Sequence, residues 1–193
     1  MGNMLAQIET AKKPLEAYTV TAAHKKDLAG ILRLVNGEAE KSGAVLEVTK
    51  RQVKTWIRGR KLFGIKNRGL SFVAKTSDGT IIGHQAMHVW PKSGWWEHRA
   101  VVTAEAYRSN GVNASITAAL MAKVAEKDPD STIVSLKNSA SNGRKILDQL
   151  GFARVDDHSK IPGEIFSIGT GGKWEVFTAA ARDVKGNLAK LKH

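Results

Sequence analysis

The chain has 193 residues, of which 42% are hydrophobic and 25% are charged, and this composition fits one soluble globular domain with a substantial core. It contains no cysteine, which excludes disulfides, thiolate nucleophiles and cysteine-ligated metals and fits a reducing cytoplasm, and it has no apolar run long enough to cross a bilayer. The formal net charge of +12 favours a polyanionic partner such as nucleic acid, although a basic surface that only aids solubility would carry the same charge.

Hydrophobic periodicity and turn residues predict strands and helices in alternation along the chain. Residues 1–17 are predicted to be an N-terminal leader, 18–180 the folded domain and 181–193 a C-terminal tail. The predicted strands are 18–21, 70–75, 80–90, 95–103, 132–136, 152–155, 165–168 and 174–179. The predicted helices are an amphipathic segment around residues 28–35, then 49–58, 113–127 and 142–150. This order predicts an α/β (α+β) fold, a central mixed sheet of about seven strands flanked by helices.

The loop before the third predicted helix carries the clearest chemical pattern. Its sequence is Arg108-Ser109-Asn110-Gly111-Val112-Asn113. A polar loop that opens a helix points several backbone N–H groups at one place, where the positive end of the helix dipole favours a pyrophosphate. Gly111 would let the backbone approach the phosphates, and Arg108 could add a charge-assisted hydrogen bond. On these residues alone, an ordinary strand-to-helix turn is the favoured interpretation.

The same six residues resemble the acyl-CoA signature of the GNAT acyltransferases, Gln/Arg-x-x-Gly-x-Gly/Ala. The predicted element order is similar to that fold over about residues 18–180, and the predicted helix that ends at Gly151-Phe152 is a second family feature. The resemblance implies an N-acetyltransferase with acetyl-CoA as co-substrate. It implies that the pyrophosphate lies on the loop and helix start formed by Arg108, Ser109, Asn110, Gly111, Val112, Asn113 and Ala114.

The resemblance also implies a place for the pantetheine arm of the co-substrate. In this family the arm pairs with the backbone of the strand before the signature, which corresponds to Val101, Val102 and Thr103. That strand would splay there from a parallel neighbour, the predicted strand 132–136.

Two residues depart from the family pattern. Asn113 stands where the signature ends in a small residue, and Asn tolerates unusual backbone angles better than most residues do. Leu147 stands where many members carry a tyrosine that protonates the departing thiolate. Tyr107, beside the loop, is the alternative proton donor, although a role in packing is the simpler expectation.

An amine must lose a proton to form an amide, and Glu97 is the candidate general base. It opens the strand that leads to the loop, eleven residues before Arg108, and some family members have a catalytic glutamate at that separation. A glutamate that merely faces solvent at a strand end is the alternative. His98 points to the opposite face by alternation, whereas His84 and His88 share a face but lack a third ligand, so no metal site is expected.

The acceptor side is predicted from charge and aromatic residues. No acid lies between Glu47 and Asp78, and Lys50, Lys54 and Arg58 form one stripe on the second helix. Trp90 and Trp95 flank the turn before Glu97 and could form an aromatic wall, although clustered tryptophans more often close the edge of a sheet.

Three readings of function follow from these features. The first is an acetyltransferase whose acceptor is nucleic acid or is linked to it, with the basic stripe as docking surface. The second is an acetyltransferase for a small-molecule or protein amine, with the charge incidental. The third is a GNAT-like binding module that has lost catalysis, a reading that the departures at Asn113 and Leu147 keep open.

Overall fold

The computed structural model describes residues 17–42, 47–58, 60–62, 65–67, 69–138, 144–166 and 174–191. The predicted leader lies almost entirely outside these ranges. The strands are β1 (Tyr18–Ala22), β2 (Arg60–Leu62), β3 (Ile65–Asn67), β4 (Leu70–Thr76), β5 (Ile81–Val89), β6 (Trp96–Thr103), β7 (Thr132–Asn138), β8 (Ala153–Arg154) and β9 (Trp174–Ala180). The α-helices are α1 (Leu28–Ser42), α2 (Lys50–Arg58), α3 (Val112–Lys127), α4 (Arg144–Gln149), α5 (Gly163–Phe166) and α6 (Ala181–Asn187).

Seven strands form one mixed sheet, as the sequence predicts, and the structure gives their order as β1-β4-β5-β6-β7-β9-β8. The pair β6–β7 is parallel, and the other neighbouring pairs are antiparallel. Strands β2 and β3 form a separate two-stranded hairpin, which the sequence analysis did not predict.

Helices cover both faces of the sheet, because β5 and its neighbours carry apolar residues on both sides. On one face, α1 and α2 pack Ile31, Val53 and Trp56 against Val73 and Ala86. On the other face, α3 and α6 contribute to the largest core cluster. Helix α2 follows Thr49, the predicted N-cap residue. The Gln52 backbone N–H donates to the Thr49 hydroxyl, and the Thr49 N–H donates to the Gln52 side chain.

The predicted strand at 165–168 is wrong in its described part. Residues Gly163–Phe166 form the short helix α5, which follows Pro162, and Ile165 is fully buried against Val134 and Val176. A short apolar run does not distinguish a strand from a buried helical turn, so periodicity could not decide this element.

The chain after β9 continues into the main core. Helix α6 packs on α3, and Ala181, Val184 and Leu191 are buried in the same cluster as Leu120 and Phe177. The predicted tail, 181–193, therefore packs as part of the same core as far as Leu191. Within the described residues, no helix is long and apolar enough to span a membrane.

Candidate active site

A bulge in β6 shapes the centre of the sheet. His84 pairs with Val102 and Ala86 with Arg99, so the single residue Gln85 lies opposite two residues of β6, Ala100 and Val101. Ala100 has a φ of 49°, a left-handed backbone conformation that is uncommon for alanine. Such a bulge bends its strand and interrupts the regular pairing.

Just before the bulge, β6 separates from its parallel neighbour β7. The two strands pair only over Trp96–His98 and Ile133–Ser135, after which β7 continues alongside β9. Val102, the residue after the bulge, is buried, whereas Val101 is 37% exposed. The predicted pantetheine-binding residues, Val101, Val102 and Thr103, thus lie on a stretch of β6 that no strand pairs on its β7 side within the described sheet.

The phosphate-loop residues turn sharply just before α3. Ser109 and Gly111 have φ values of 66° and 74°, and Gly111 is the N-cap residue of α3. No side chain caps this end, and the first helical hydrogen bond runs from the Ser115 N–H to the Gly111 carbonyl at 2.9 Å. The first backbone N–H groups of α3 therefore have no acceptor within the helix.

An unpaired side-chain donor lies in the same loop. The Asn110 Nδ2 atom is buried and has no hydrogen-bond partner among the described residues. Such an atom costs free energy unless a ligand or water accepts from it. Together with the uncapped start of α3, it provides several hydrogen-bond donors for anionic oxygens, which fits the pyrophosphate of an acyl-CoA.

Arg108 and Asn113, both predicted to bind the co-substrate, are engaged within the protein. The Arg108 guanidinium forms an ion pair with the buried Glu38 of α1, and its Nε lies 3.4 Å from the Thr103 carbonyl. The Asn113 Oδ1 accepts from the Nε2 of Gln85 at 2.5 Å. The loop is thus joined to α1 on one side and to β5 on the other.

Glu97 lies on the face of the sheet that packs against α1 and α2, the same face as the side chain of Ala86. It is only 3% exposed, so the solvent-facing alternative does not apply. Its Oε1 is 2.7 Å from the Nε of Arg99, and its Oε2 accepts from the Nε1 of Trp90 at 2.7 Å. Burial raises the pKa of the Glu97 carboxyl, and the Arg99 charge and the two contacts oppose only part of that rise. A carboxylate with a raised pKa is a stronger proton acceptor.

Arg99 is a site residue that the sequence analysis missed. Its guanidinium lies 5.5 Å from the centre of the Trp90 ring, and its side chain is 18% exposed. Strand alternation was the available signal, because a residue two positions after Glu97 must share its face. His88 joins this group through an edge-on contact with Trp90, with ring centres 4.9 Å apart.

The other two strand histidines are buried away from this group. His84 stacks on Trp56 and shares a hydrogen bond of 2.9 Å with Ser71, whereas His98 lies on the opposite face and contacts Gln85. Burial lowers the pKa of each to about 4, so both rings are neutral near pH 7.

Comparison with known proteins adds the fold family. No protein-family model and no curated protein matches the sequence. Among solved structures, an acetyltransferase of the GNAT family from Staphylococcus aureus MU50 is similar with a TM-score of 0.67 and 9% identity, over 86% of this chain and 99% of that one. The chain has the GNAT fold.

Two further structures of the GNAT fold contain ligands. The protein yncA of Salmonella typhimurium, solved with its cofactor acetyl-CoA, matches with a TM-score of 0.63 and 18% identity over 86% of this chain and 95% of that one. N-acetylglutamate synthase from Neisseria gonorrhoeae, complexed with coenzyme A and N-acetyl-glutamate, matches with a TM-score of 0.65 and 14% identity over 87% of this chain. The present chain spans only 36% of the synthase chain.

Two positions bear on proton donation within this GNAT fold. Tyr107 ends a short 3-10 turn and packs against the cluster that contains Ile82 and Val112. Leu147 is 4% exposed and packs in the main core beside Phe152. The structure therefore uses position 147 for packing, and Tyr107 stays a predicted proton donor.

The predicted acceptor surface has an aromatic part and a basic part. Trp90 and Trp95 are partly buried and pack against the cluster of Ile161 and Ile165, so they close this end of the sheet while Trp90 also contacts Glu97. On α2, Lys50 and Lys54 are exposed, and the side chain of Arg58 lies outside the described residues.

Proposed function

We propose that the protein is an acetyl-CoA-dependent N-acetyltransferase, an enzyme that transfers an acetyl group from a thioester to an amine. The observation that carries this proposal is the arrangement around β6. The strand bulges at Ala100, separates from β7 and leads to an uncapped helix start, while a buried carboxylate, Glu97, lies on the same strand.

The chain offers acetyl-CoA contacts at two places. The backbone N–H groups at the start of α3 and the Asn110 amide would bind the pyrophosphate, and the free backbone edge at 101–103 would pair with the pantetheine arm. Acetyl-CoA supplies the activated acetyl group. The position of β6 relative to the start of α3 would therefore determine where the thioester lies with respect to Glu97.

Glu97 would act as the general base, directly or through a water molecule. It takes a proton from the acceptor amine, whose nitrogen then forms a bond to the carbonyl carbon of the thioester. The bond between that carbon and sulfur breaks, and the sulfur leaves as a thiolate that takes a proton from Tyr107 or from water. Leu147 contributes no proton, which a thiolate leaving group tolerates near neutral pH.

Arg99 suggests what the acceptor carries beside its amine. Its Nε lies 2.7 Å from the Glu97 Oε1, and its two terminal amino groups make no hydrogen bond to a residue in the described part of the chain. An arginine held against an aromatic ring and a carboxylate keeps its planar fork in one orientation. We infer that this fork binds an anionic oxygen group of the acceptor close to the amine that loses its proton to Glu97.

For the acceptor itself, we propose a nucleic acid or a molecule linked to one. Lys50 and Lys54 of α2 are exposed, whereas Val53 and Trp56 of the same helix are buried against the sheet, so the cations are available to phosphates. The second candidate is a small-molecule or protein amine. It is favoured by the fork of Arg99, which suits a carboxylate, and by the N-acetyl-glutamate in the similar synthase structure.

The transferase proposal is tested by titrating the protein with acetyl-CoA in a calorimeter and by following thiol release with a panel of amines. Gly111→Val puts a branched side chain at a left-handed position of the loop, at a strain of about 1–2 kcal/mol. If the loop moves to relieve that strain, acetyl-CoA affinity falls about 5- to 30-fold.

Gly79→Val is the matched control, because Gly79 has a φ of 85°, meets nothing within 4 Å and lies in the turn between β4 and β5. It should cost similar stability but leave the affinity unchanged. Equal affinity in the two variants would reject the loop as the pyrophosphate site. Acetyl-CoA binding without turnover of any amine would favour the binding module over the enzyme.

A further inference from the structure

We propose that Gln85 is a positioning residue of the co-substrate site, which holds the start of α3 at a fixed place relative to the bulge of β6. It acts through a buried hydrogen-bond network, called here the Gln85 network, of Gln85, His98, Asn113 and Thr117. This inference rests on the proposed acetyl-CoA site.

The position of Gln85 in the sheet is the first argument. It is fully buried and lies directly opposite Ala100 and Val101, the two bulge residues. Its side chain points to the α3 face of the sheet, away from Glu97 and Arg99. Gln85 thus lies beneath both parts of the proposed site and touches neither the acceptor side nor solvent.

The hydrogen bonds of the Gln85 network join three elements. The Nε2 of Gln85 donates to the Asn113 carbonyl at 3.0 Å and to the Asn113 Oδ1 at 2.5 Å, which joins β5 to α3. The Oε1 of Gln85 lies 2.9 Å from the Nε2 of His98 on β6 and accepts from the Thr117 hydroxyl at 3.0 Å. Both donors of the amide are used, and its oxygen faces two donors, of which the Thr117 hydroxyl also lies 2.9 Å from the Asn113 carbonyl.

The state of His98 fixes the direction of these bonds. Because burial keeps its ring neutral, only one ring nitrogen carries a proton. The Nδ1 is buried without a partner in the described structure, and the Nε2 faces the Gln85 oxygen, so the proton belongs on Nε2. His98 donates to Oε1, and the amide nitrogen of Gln85 is left to face Asn113.

The Gln85 network also accounts for the unusual residue at the end of the signature. A small residue at position 113 leaves the outer side of the loop clear for phosphates. Here the Asn113 side chain turns under the helix to Gln85, which removes it from that side. The hydrogen bond to Gln85 thus holds the larger side chain away from the proposed phosphate site.

Loss of the Gln85 network should affect acetyl-CoA because this ligand would bind at two connected places. Acetyl-CoA would contact β6 through its pantetheine arm and the start of α3 through its pyrophosphate, so its affinity depends on the distance between the two. A ligand that contacts only β6 has no such dependence. Loss of the Gln85 network should therefore weaken acetyl-CoA and spare the shorter ligand.

The test compares the dissociation constants of acetyl-CoA and of acetyl-pantetheine, which lacks the pyrophosphate and the nucleotide. Gln85→Met keeps the length of the side chain and removes its hydrogen bonds. We expect acetyl-CoA to bind about tenfold more weakly and acetyl-pantetheine to bind within about twofold of wild type. Equal weakening of both ligands, or of neither, would overturn the proposal.

Two more variants make the outcome decisive. Ser71→Ala is the control, because it removes the partner of another buried histidine, His84, on the opposite face of the same strands, and it should leave both affinities unchanged. If Gln85→Met does not fold, Thr117→Val removes one hydroxyl at constant shape, and a loss confined to acetyl-CoA is still expected. A wild-type protein that binds neither ligand would refute the transferase itself, whereas equal effects on the two ligands refute only the role of Gln85.

Discussion

Replacing the buried carboxylate of Glu97 by an amide tests the base directly. Glu97→Gln keeps the shape of the side chain, and its amide oxygen can still accept from the Trp90 Nε1, now 2.7 Å from the carboxylate. It removes the proton acceptor and the counter-charge of Arg99. A general base contributes about 10²–10⁴ in rate, so we expect turnover to fall by that factor while acetyl-CoA affinity is kept.

The same variant should lower stability by a predictable amount. A buried charge that loses its ion-pair partner costs about 1–3 kcal/mol, and more when no water reaches it. The Arg99 side chain is 18% exposed, so water can solvate part of its charge. We therefore expect a loss within that range in the free energy of unfolding, measured by urea denaturation.

Asp27→Asn is the matched control for Glu97→Gln. Asp27 is also buried and pairs with Lys75 at 2.8 Å, but its helical turn lies at the start of α1 and not on β6. The control should lose stability on a similar scale and keep its turnover. A control that loses as much activity as Glu97→Gln would show that stability, rather than the base, explains the effect.

The pH dependence of kcat/KM is a second test of Glu97 as the general base. Because burial raises the pKa of Glu97, the base becomes protonated as pH falls through a value above the ordinary glutamate range, and wild-type kcat/KM should fall with it. Glu97→Gln should lack this acidic limb. The assay is thiol release at acceptor concentrations well below KM, with acetyl-CoA saturating, over about pH 5 to pH 9. Turnover within a few-fold of wild type, or an acidic limb that persists in the variant, would refute the assignment.

Two further predictions concern the basic helix and the buried histidines. Charge reversal at Lys50, Lys54 and Arg58 should weaken RNA or DNA binding and reduce its log–log salt slope by about 0.7–0.9 per lost phosphate contact, with acetyl-CoA binding unchanged. Absence of nucleic-acid binding by the wild type at low salt would favour the small-molecule or protein amine. Because His84 and His98 have pKa values lowered to about 4, the unfolded chain binds their protons first as pH falls. Each should remove up to about 1.4 kcal/mol of stability per pH unit between about pH 6.5 and pH 4, and a urea midpoint that stays constant over that interval would contradict this.

Local patterns were sufficient to predict most elements of the fold. The glycine turn at Gly111 and the helix start at Thr49 have short-range signals in residue type and spacing. Alternation along β6 also separates Glu97 from His98, and the same rule would have found Arg99. The chain after β9 carried too short an apolar pattern to be recognised as the helix α6, which depends on packing against α3.

The bulge and the Gln85 network could not be predicted in this way. Ala100 has no residue-type preference for its left-handed conformation, which the surrounding sheet must impose. Gln85 lies 28 positions from Asn113 and 32 from Thr117, so their contact depends on how α3 packs across the sheet. A glutamine inside an apolar strand was visible in the sequence, but its partners were not.

The most direct test of the central claim is amide hydrogen exchange of the full chain with and without acetyl-CoA. Acetyl-CoA should slow exchange in two separate segments, the free edge of β6 at 99–103 and the loop and helix start at 109–114, because each would donate hydrogen bonds to the co-substrate. The β4–β5 turn around Gly79 should exchange at the same rate in both samples. Unchanged exchange in both segments at saturating acetyl-CoA, or protection elsewhere in the chain without protection there, would contradict the proposed site.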